Sequence, residues 1–213
     1  MDKLDHHLKD IAEIRSLMER SSKFLSLSGL SGVSAGIVGV IGAAVAHRYL
    51  TEKGAYLHNG SSGSVQDKDL LTFLFVDAGI VLVVAVGLAI LFSTRMARKN
   101  GLPVWNRAAK YLLTNLLIPL ITGGVFCLIL VSHGFFLLIA PSTLIFYGLA
   151  LLNVSKVTVN EIRYLGLMEI VLGLMASVWV WQALWFWAIG FGVLHIVYGI
   201  VLYYKYAQST TPR

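Results

Sequence analysis

The stretch LLTFLFVDAGIVLVVAVGLAILF, residues 70–92, decides the fold. It is apolar throughout apart from Thr72 and Asp77. An α-helix of about 20 residues crosses the ~30 Å hydrocarbon core of a bilayer, and this stretch is long enough to do so. In hydrocarbon a single segment satisfies its backbone hydrogen bonds only as a helix. Residues 70–92 therefore predict a transmembrane helix.

Five further apolar segments accompany this one. The six predicted spans are residues 24–46, 70–92, 111–131, 135–153, 164–180 and 184–204. The composition agrees, because 57% of the 213 residues are hydrophobic and only 13% are charged, against roughly 25% charged residues in a soluble domain. The sequence predicts an all-α polytopic membrane protein with six transmembrane helices spanning residues 24–204.

The links between the spans indicate three consecutive helical hairpins. Residues 132–134 and 181–183 are so short that spans three and four, and spans five and six, must form tight hairpins. KFL, KYL and RYL begin at residues 23, 110 and 163, and VGLA, YGLA and YGIV occur near the ends of the even-numbered spans. This predicts a tandem or pseudo-threefold repeat. The alternative is that a cation beside an aromatic residue is common at any cytoplasmic interface.

Lysine and arginine are distributed unevenly between the two sides of the predicted bundle. Fourteen of the 17 lie before the first span, between spans two and three, between spans four and five, or after the last span. Because loops rich in these residues stay in the cytoplasm, we expect both termini there, including the tail at residues 205–213. The net charge of +6 is thus a topology signal, and we expect no nucleic-acid partner.

Residues 1–23 precede the first span and are highly charged. Their apolar residues recur at helical spacing, which predicts a cytoplasmic amphipathic helix: Leu4, Leu8, Ile11, Ile14 and Met18. Acidic and basic residues alternate along the segment, whereas a helix drawn to anionic lipid is more uniformly basic. We therefore expect residues 1–23 to dock on the protein's own cytoplasmic loops or on a protein partner.

The last two spans, GLMEIVLGLMASVW (residues 166–179) and AIGFGVLHIVYGIVL (residues 188–202), carry regularly spaced glycines. This hairpin resembles the hairpin unit of the bacterial acid-resistance membrane protein family of the HdeD type. The matching positions are Gly166, Gly173, Gly192 and Gly199. The resemblance implies about six helices built from repeated pairs and a stress-related protein of the bacterial inner membrane. The proline that usually follows the first helix of such a hairpin is absent.

A glutamate interrupts the apolar run YLGLMEIVLG, residues 164–173. If the turn between spans five and six centres near Gln182, antiparallel pairing places Glu169 level with His195. Such a pair has two interpretations. It is a proton relay or coupling site, since imidazole titrates near neutral pH, or it is an interhelical hydrogen bond that contributes about 1 kcal/mol.

Two other polar residues lie within apolar spans. Asp77 is in the outer half of span two, and a lone intramembrane acid is a functional-site hypothesis by default. One hypothesis is that Asp77 and Glu169 mark the two ends of a polar path. The alternatives are that Asp77 bends its helix or that its side chain reaches the membrane interface. Asn115 in span three lies near the depth of Glu169 under the repeat alignment. Hydrogen bonding between helices is its simpler interpretation.

The first span, SLSGLSGVSAGIVGVIGAA at residues 26–44, carries glycines at spacings of three and four. They line one face of the helix: Gly29, Gly32, Gly36 and Gly39. Glycine on one face lets a second helix backbone approach closely. The stripe predicts tight packing inside the bundle, with homodimerisation as the alternative.

No H-E-x-x-H, Walker A or C-x-x-C motif occurs in the chain, so the sequence predicts no cofactor, no metal site and no enzymatic activity. The leading hypothesis is a non-enzymatic inner-membrane protein of accessory, structural or envelope-stress type. The competing hypothesis is a small channel or proton-coupled transporter that uses Glu169, His195 and Asp77. The two differ in whether water reaches those groups.

Overall fold

The structure is a computed structural model that describes residues 29–53, 68–99, 101, 105 and 107–207. The described residues form six helices and no strand, which confirms the all-α prediction. Three predicted features lie wholly or partly outside the described residues: the amphipathic helix at residues 1–23, the beginning of the first span, and residues 208–213 of the tail.

Six helices follow one another along the chain. They are α1 (Gly29–Glu52), α2 (Lys68–Lys99), α3 (Arg107–Ser132), α4 (Ile139–Val154), α5 (Glu161–Val178) and α6 (residues 183–207). A 3-10 turn at Phe136–Leu138 precedes α4. The last helix is α-helical over Ala183–Trp187, continues as a π-helix over Ala188–Leu194, and is α-helical again over His195–Ala207.

Five of these helices are long and apolar enough to span a membrane, as expected of a polytopic membrane protein. They are α1, α2, α3, α4 and α6. Helix α5 has 18 residues, and three of them are charged: Glu161, Arg163 and Glu169. Its length and composition therefore do not identify it as a span, and the predicted span at residues 164–180 stays a prediction.

Helices α1 and α2 run past the ends of their predicted spans. Helix α1 continues to Glu52 and α2 to Lys99, so parts of the expected loops at residues 47–69 and 93–110 are helical. Polar side chains support the end of α1, where Arg48 pairs with Glu52 at 3.0 Å. The length of an apolar run corresponds to the thickness of the hydrocarbon core. The helix itself can extend beyond that run, because polar residues also form its backbone hydrogen bonds.

The bundle has a definite order of neighbours. Helix α1 packs against both α2 and α6, and α4 packs against both α3 and α5. Helices α5 and α6, joined by the 3-10 turn Val180–Gln182, also pack against each other. An ion pair between Glu161 and Lys205 joins the cytoplasm-facing ends predicted for these two helices. Most of the side chains of α2 and α3 remain exposed.

Glycines bring helix backbones close together at two interfaces. In α4 and α5, a Cβ atom added to Gly148 would lie 2.6 Å from the Gly166 carbonyl oxygen and 2.9 Å from the Ile170 nitrogen. In α6 and α1, Gly199 meets Gly29 and Val33 in the same way. The predicted stripe of α1 therefore faces α6 inside the bundle: Gly29, Gly32, Gly36 and Gly39 all contact α6 backbone.

The close glycine contact occurs twice among the described helices. In each case a glycine of an even-numbered helix, α4 or α6, meets the backbone of an odd-numbered helix, α5 or α1. Helix α2 carries the third copy of the motif, with Gly87 in the place of Gly148 and Gly199. A Cβ atom added to Gly87 would have no atom of the described residues within 4 Å. The predicted pseudo-threefold arrangement is therefore not completed, because α2 and α3 do not form the third glycine contact.

The turn between α3 and α4 depends on one glycine. Gly134 has φ of 78°, a left-handed conformation that side chains disfavour. Pro141 does not interrupt a helix, because it lies in the first turn of α4, where a missing N–H costs little. Pro119 does lie inside α3.

Candidate functional site

Glu169 lies in the middle of α5 and is fully buried, with 0% of its surface exposed. The neighbouring residue of α6 is Gly190, whose lack of a side chain makes room for the carboxyl group. A Cβ atom at Gly190 would lie 2.5 Å from the Glu169 Oε2 atom and 2.6 Å from Leu144 of α4. The carboxyl group thus lies where α4, α5 and α6 meet.

His195 is buried in the same place and uses both ring nitrogens. Its Nδ1 atom donates to the carbonyl oxygen of Gly190 at 3.0 Å, because a carbonyl oxygen can only accept. The acceptor lies five residues earlier along the π-helix Ala188–Leu194. In the neutral imidazole, Nε2 is then an acceptor, and the hydroxyl of Tyr147 in α4 donates to it at 2.7 Å.

Glu169 and His195 are brought together, as the position of the turn predicted. Nδ1 of His195 lies 3.4 Å from Oε1 of Glu169. Neither carboxyl oxygen accepts a hydrogen bond from the described residues. The two observations agree, since the Nδ1 proton is directed to Gly190. The two groups are therefore in polar contact without a formed hydrogen bond.

Tyr147 was not predicted as a site residue. It completes what we call the buried polar cluster, formed by Tyr147, Glu169 and His195. Phe191 packs against two members of this cluster, with ring centroids 4.9 Å from Tyr147 and 5.9 Å from His195. The one sequence signal for Tyr147 was its place in the repeated YGLA motif.

Chemically, the buried polar cluster combines a hydroxyl donor, an imidazole and a carboxyl group. Such a set can hold three helices together through polar contacts, or it can bind a proton. Among the described residues, no group of three or more His, Cys, Asp or Glu side chains is arranged to hold a metal ion.

Asp77 does not join the buried polar cluster. It lies at the contact between α2 and α1, where its Oδ2 atom is 3.6 Å from the Cβ position of Gly42. Its side chain is partly exposed. The structure therefore offers no support for a polar path that connects Asp77 with Glu169.

Asn115 belongs to a separate interhelical contact between α3 and α4. The side-chain amide of Asn153 donates to the Asn115 carbonyl oxygen at 2.9 Å and approaches the Asn115 Oδ1 atom at 3.3 Å. Pro119, four residues after Asn115, has no N–H with which to bond that carbonyl. Asn153 thus supplies the donor that the proline removes.

Asn153→Ala is expected to destabilise the protein by about 1–2 kcal/mol, because it leaves the Asn115 carbonyl without a donor. In a Pro119→Ala background the helix regains its own N–H donor, so the same change should cost clearly less. Thermal unfolding of the four proteins in detergent measures this coupling. Equal costs in both backgrounds would show that Asn153 does not compensate for the proline.

Residues 32–36 read GVSAG and match the G-x-S-x-G pattern of a nucleophilic serine. That chemistry requires the serine on a sharp turn between a strand and a helix. Ser34 instead lies inside α1, where its hydroxyl donates to the Ser31 carbonyl oxygen at 3.1 Å. Ser34 therefore lacks the strand–turn–helix context that the G-x-S-x-G pattern needs for a nucleophilic serine.

Comparison with protein-family models, with curated proteins and with solved structures gives no match.

Proposed function

We propose that this chain is a non-enzymatic integral membrane protein with an accessory or structural role. The observation that carries the proposal is the position of the buried polar cluster. Its Tyr147–His195 hydrogen bond joins α4 to α6, and its carboxyl group in α5 lies against both helices. The polar side chains are thus used between helices, in a core where Glu169 is 0% and His195 6% exposed.

The sequence supports the proposed topology and the proposed location of the protein. The distribution of lysine and arginine supports both termini in the cytoplasm. The glycine-rich hairpin that resembles the HdeD-type family supports the bacterial inner membrane and a role in acid or envelope stress. Within this proposal α5 also spans the membrane, which brings the number of transmembrane helices to six. Residues 1–23 are the contact with a cytoplasmic protein.

A specific observation favours proton-coupled transport as the second candidate function. The two carboxyl oxygens of Glu169 accept no hydrogen bond among the described residues, whereas a carboxyl group kept only as a link between helices would be expected to have a donor. A carboxyl group whose oxygens accept no hydrogen bond has both oxygens available to bind and release a proton.

Proton flux in proteoliposomes separates the two candidates. With an imposed membrane potential and a pH-sensitive dye inside the vesicles, we expect the wild-type protein to give the same flux as protein-free vesicles. The variants Glu169→Gln and Asp77→Asn should then also give this background flux. A wild-type flux well above background that Glu169→Gln abolishes and Asp77→Asn retains would contradict the structural role and establish transport.

A further inference from the structure

A groove of about 490 Å³ opens between α3 and α4, away from the buried polar cluster. Pro119 contributes to its wall from α3. Phe146, Leu149 and Leu152 contribute from α4, and Asn153 and Lys156 lie towards one end. Its volume falls in the range of roughly 300–1,000 Å³ found for small-molecule sites. Thr122 of α3 also lines the groove, with its hydroxyl donating to the Ile118 carbonyl oxygen of its own helix at 2.8 Å. The lining is therefore mainly apolar, with its charged residue at one end.

The groove follows the direction of the helices. From Phe146 to Lys156 the α4 backbone rises about 15 Å, half the thickness of a ~30 Å hydrocarbon core. Leu149 has 42% of its surface exposed within this stretch. An extended hydrocarbon chain, lying parallel to α4, matches both the length and the apolar lining of the groove.

The polar end of the groove carries a positive charge. Lys156 lies in the 3-10 turn Ser155–Val157 at the end of α4 and is exposed. Within the described ranges it forms no ion pair. Lys110 of α3 is also exposed, and the antiparallel register fixed by Asn115 and Asn153 puts it at about the same depth along the bundle as Lys156.

We propose that this groove binds an anionic glycerophospholipid, with one acyl chain between α3 and α4 and the phosphate group at Lys156. Basic groups between transmembrane helices at the headgroup level are suited to anionic lipid headgroups. The charge selects an anionic headgroup, and the apolar groove selects a molecule with a long chain rather than free phosphate. The site is independent of the buried polar cluster and rests only on the membrane location.

The test measures lipid binding to the purified full-length protein in a neutral detergent. Phosphatidylglycerol and phosphatidylcholine with identical chains are titrated separately, and bound lipid is counted by native mass spectrometry. Wild-type protein should bind phosphatidylglycerol more tightly. Lys156→Gln should weaken phosphatidylglycerol binding about fivefold, the effect of one basic group near the surface, and leave phosphatidylcholine binding unchanged. The matched control is Lys99→Gln at the exposed end of α2, which should change neither.

The apolar part of the site is tested by filling it. Leu149→Trp should weaken binding of both lipids, whereas Leu174→Trp, at a position of α5 that is 56% exposed, should not. The proposal is overturned if Lys156→Gln binds phosphatidylglycerol as the wild type does, if Lys99→Gln loses as much affinity, or if millimolar inorganic phosphate displaces the lipid completely. Unchanged melting temperatures without added lipid establish that the variants are folded.

Discussion

Gly148→Val should lower the stability of the bundle by about 3 kcal/mol, close to the upper end of overpacking effects. The added side chain meets the Ile170 side chain at 2.7 Å from its Cβ atom and also meets backbone, with the Gly166 carbonyl oxygen at 2.6 Å and the Ile170 nitrogen at 2.9 Å. Helices α4 and α5 must therefore separate. The expected loss in Tm is about 6–12 °C for a chain of this size, measured by thermal unfolding in detergent.

Gly87→Val is the matched control for this change. It introduces the same side chain into the same motif of α2, at a position with no atom of the described residues within 4 Å. Helix propensity changes equally in the two variants, so the difference between their Tm values isolates the packing contact. If Gly87→Val destabilised the protein as much as Gly148→Val, Gly87 would have a partner that the described residues do not supply.

His195→Ala should be the most damaging change in the buried polar cluster, costing about 3 kcal/mol. It creates a cavity where α4 and α6 meet and removes the hydrogen-bonding partner of the buried Tyr147 hydroxyl. Tyr147→Phe, which keeps the ring and removes one hydrogen bond, should cost about 1 kcal/mol. Chemical or thermal unfolding of the purified variants gives this order.

Glu169→Gln provides the comparison that tests how the cluster is held. Since neither carboxyl oxygen of Glu169 accepts a hydrogen bond from the described residues, replacing the acid by an amide of similar volume should change stability by less than about 1 kcal/mol. A loss as large as that of His195→Ala would mean that the carboxyl group, rather than the imidazole, holds the three helices together.

The sequence predicted the features that depend on one helix or one turn. Length and hydropathy are sufficient to find an apolar helix, because hydrocarbon tolerates no other single-segment structure. The proximity of Glu169 and His195 followed from counting residues on both sides of a short turn. Helix ends were less accurate, as at Glu52 and Lys99, because polar residues continue a helix without an apolar signal.

Features that depend on which helices become neighbours were not predictable from one sequence. Tyr147 reaches His195 only because α4 packs beside α6. Asn153 reaches Asn115 only because the two helices meet at that register. Glycine spacing indicated that α1 packs closely against something, but the identity of the partner, α6, depends on the whole bundle.

The contact between α1 and α6 has a consequence for biogenesis. It joins the first and the last of the described helices, and its glycines meet backbone that is synthesised much later. When a ribosome delivers the helices one by one, α1 must wait in the membrane with this face unoccupied until α6 has been inserted. The contacts between successive helices, α1 with α2 and α4 with α5, form by contrast as soon as both partners have been synthesised. Assembly should therefore end when the latest helix returns to the earliest.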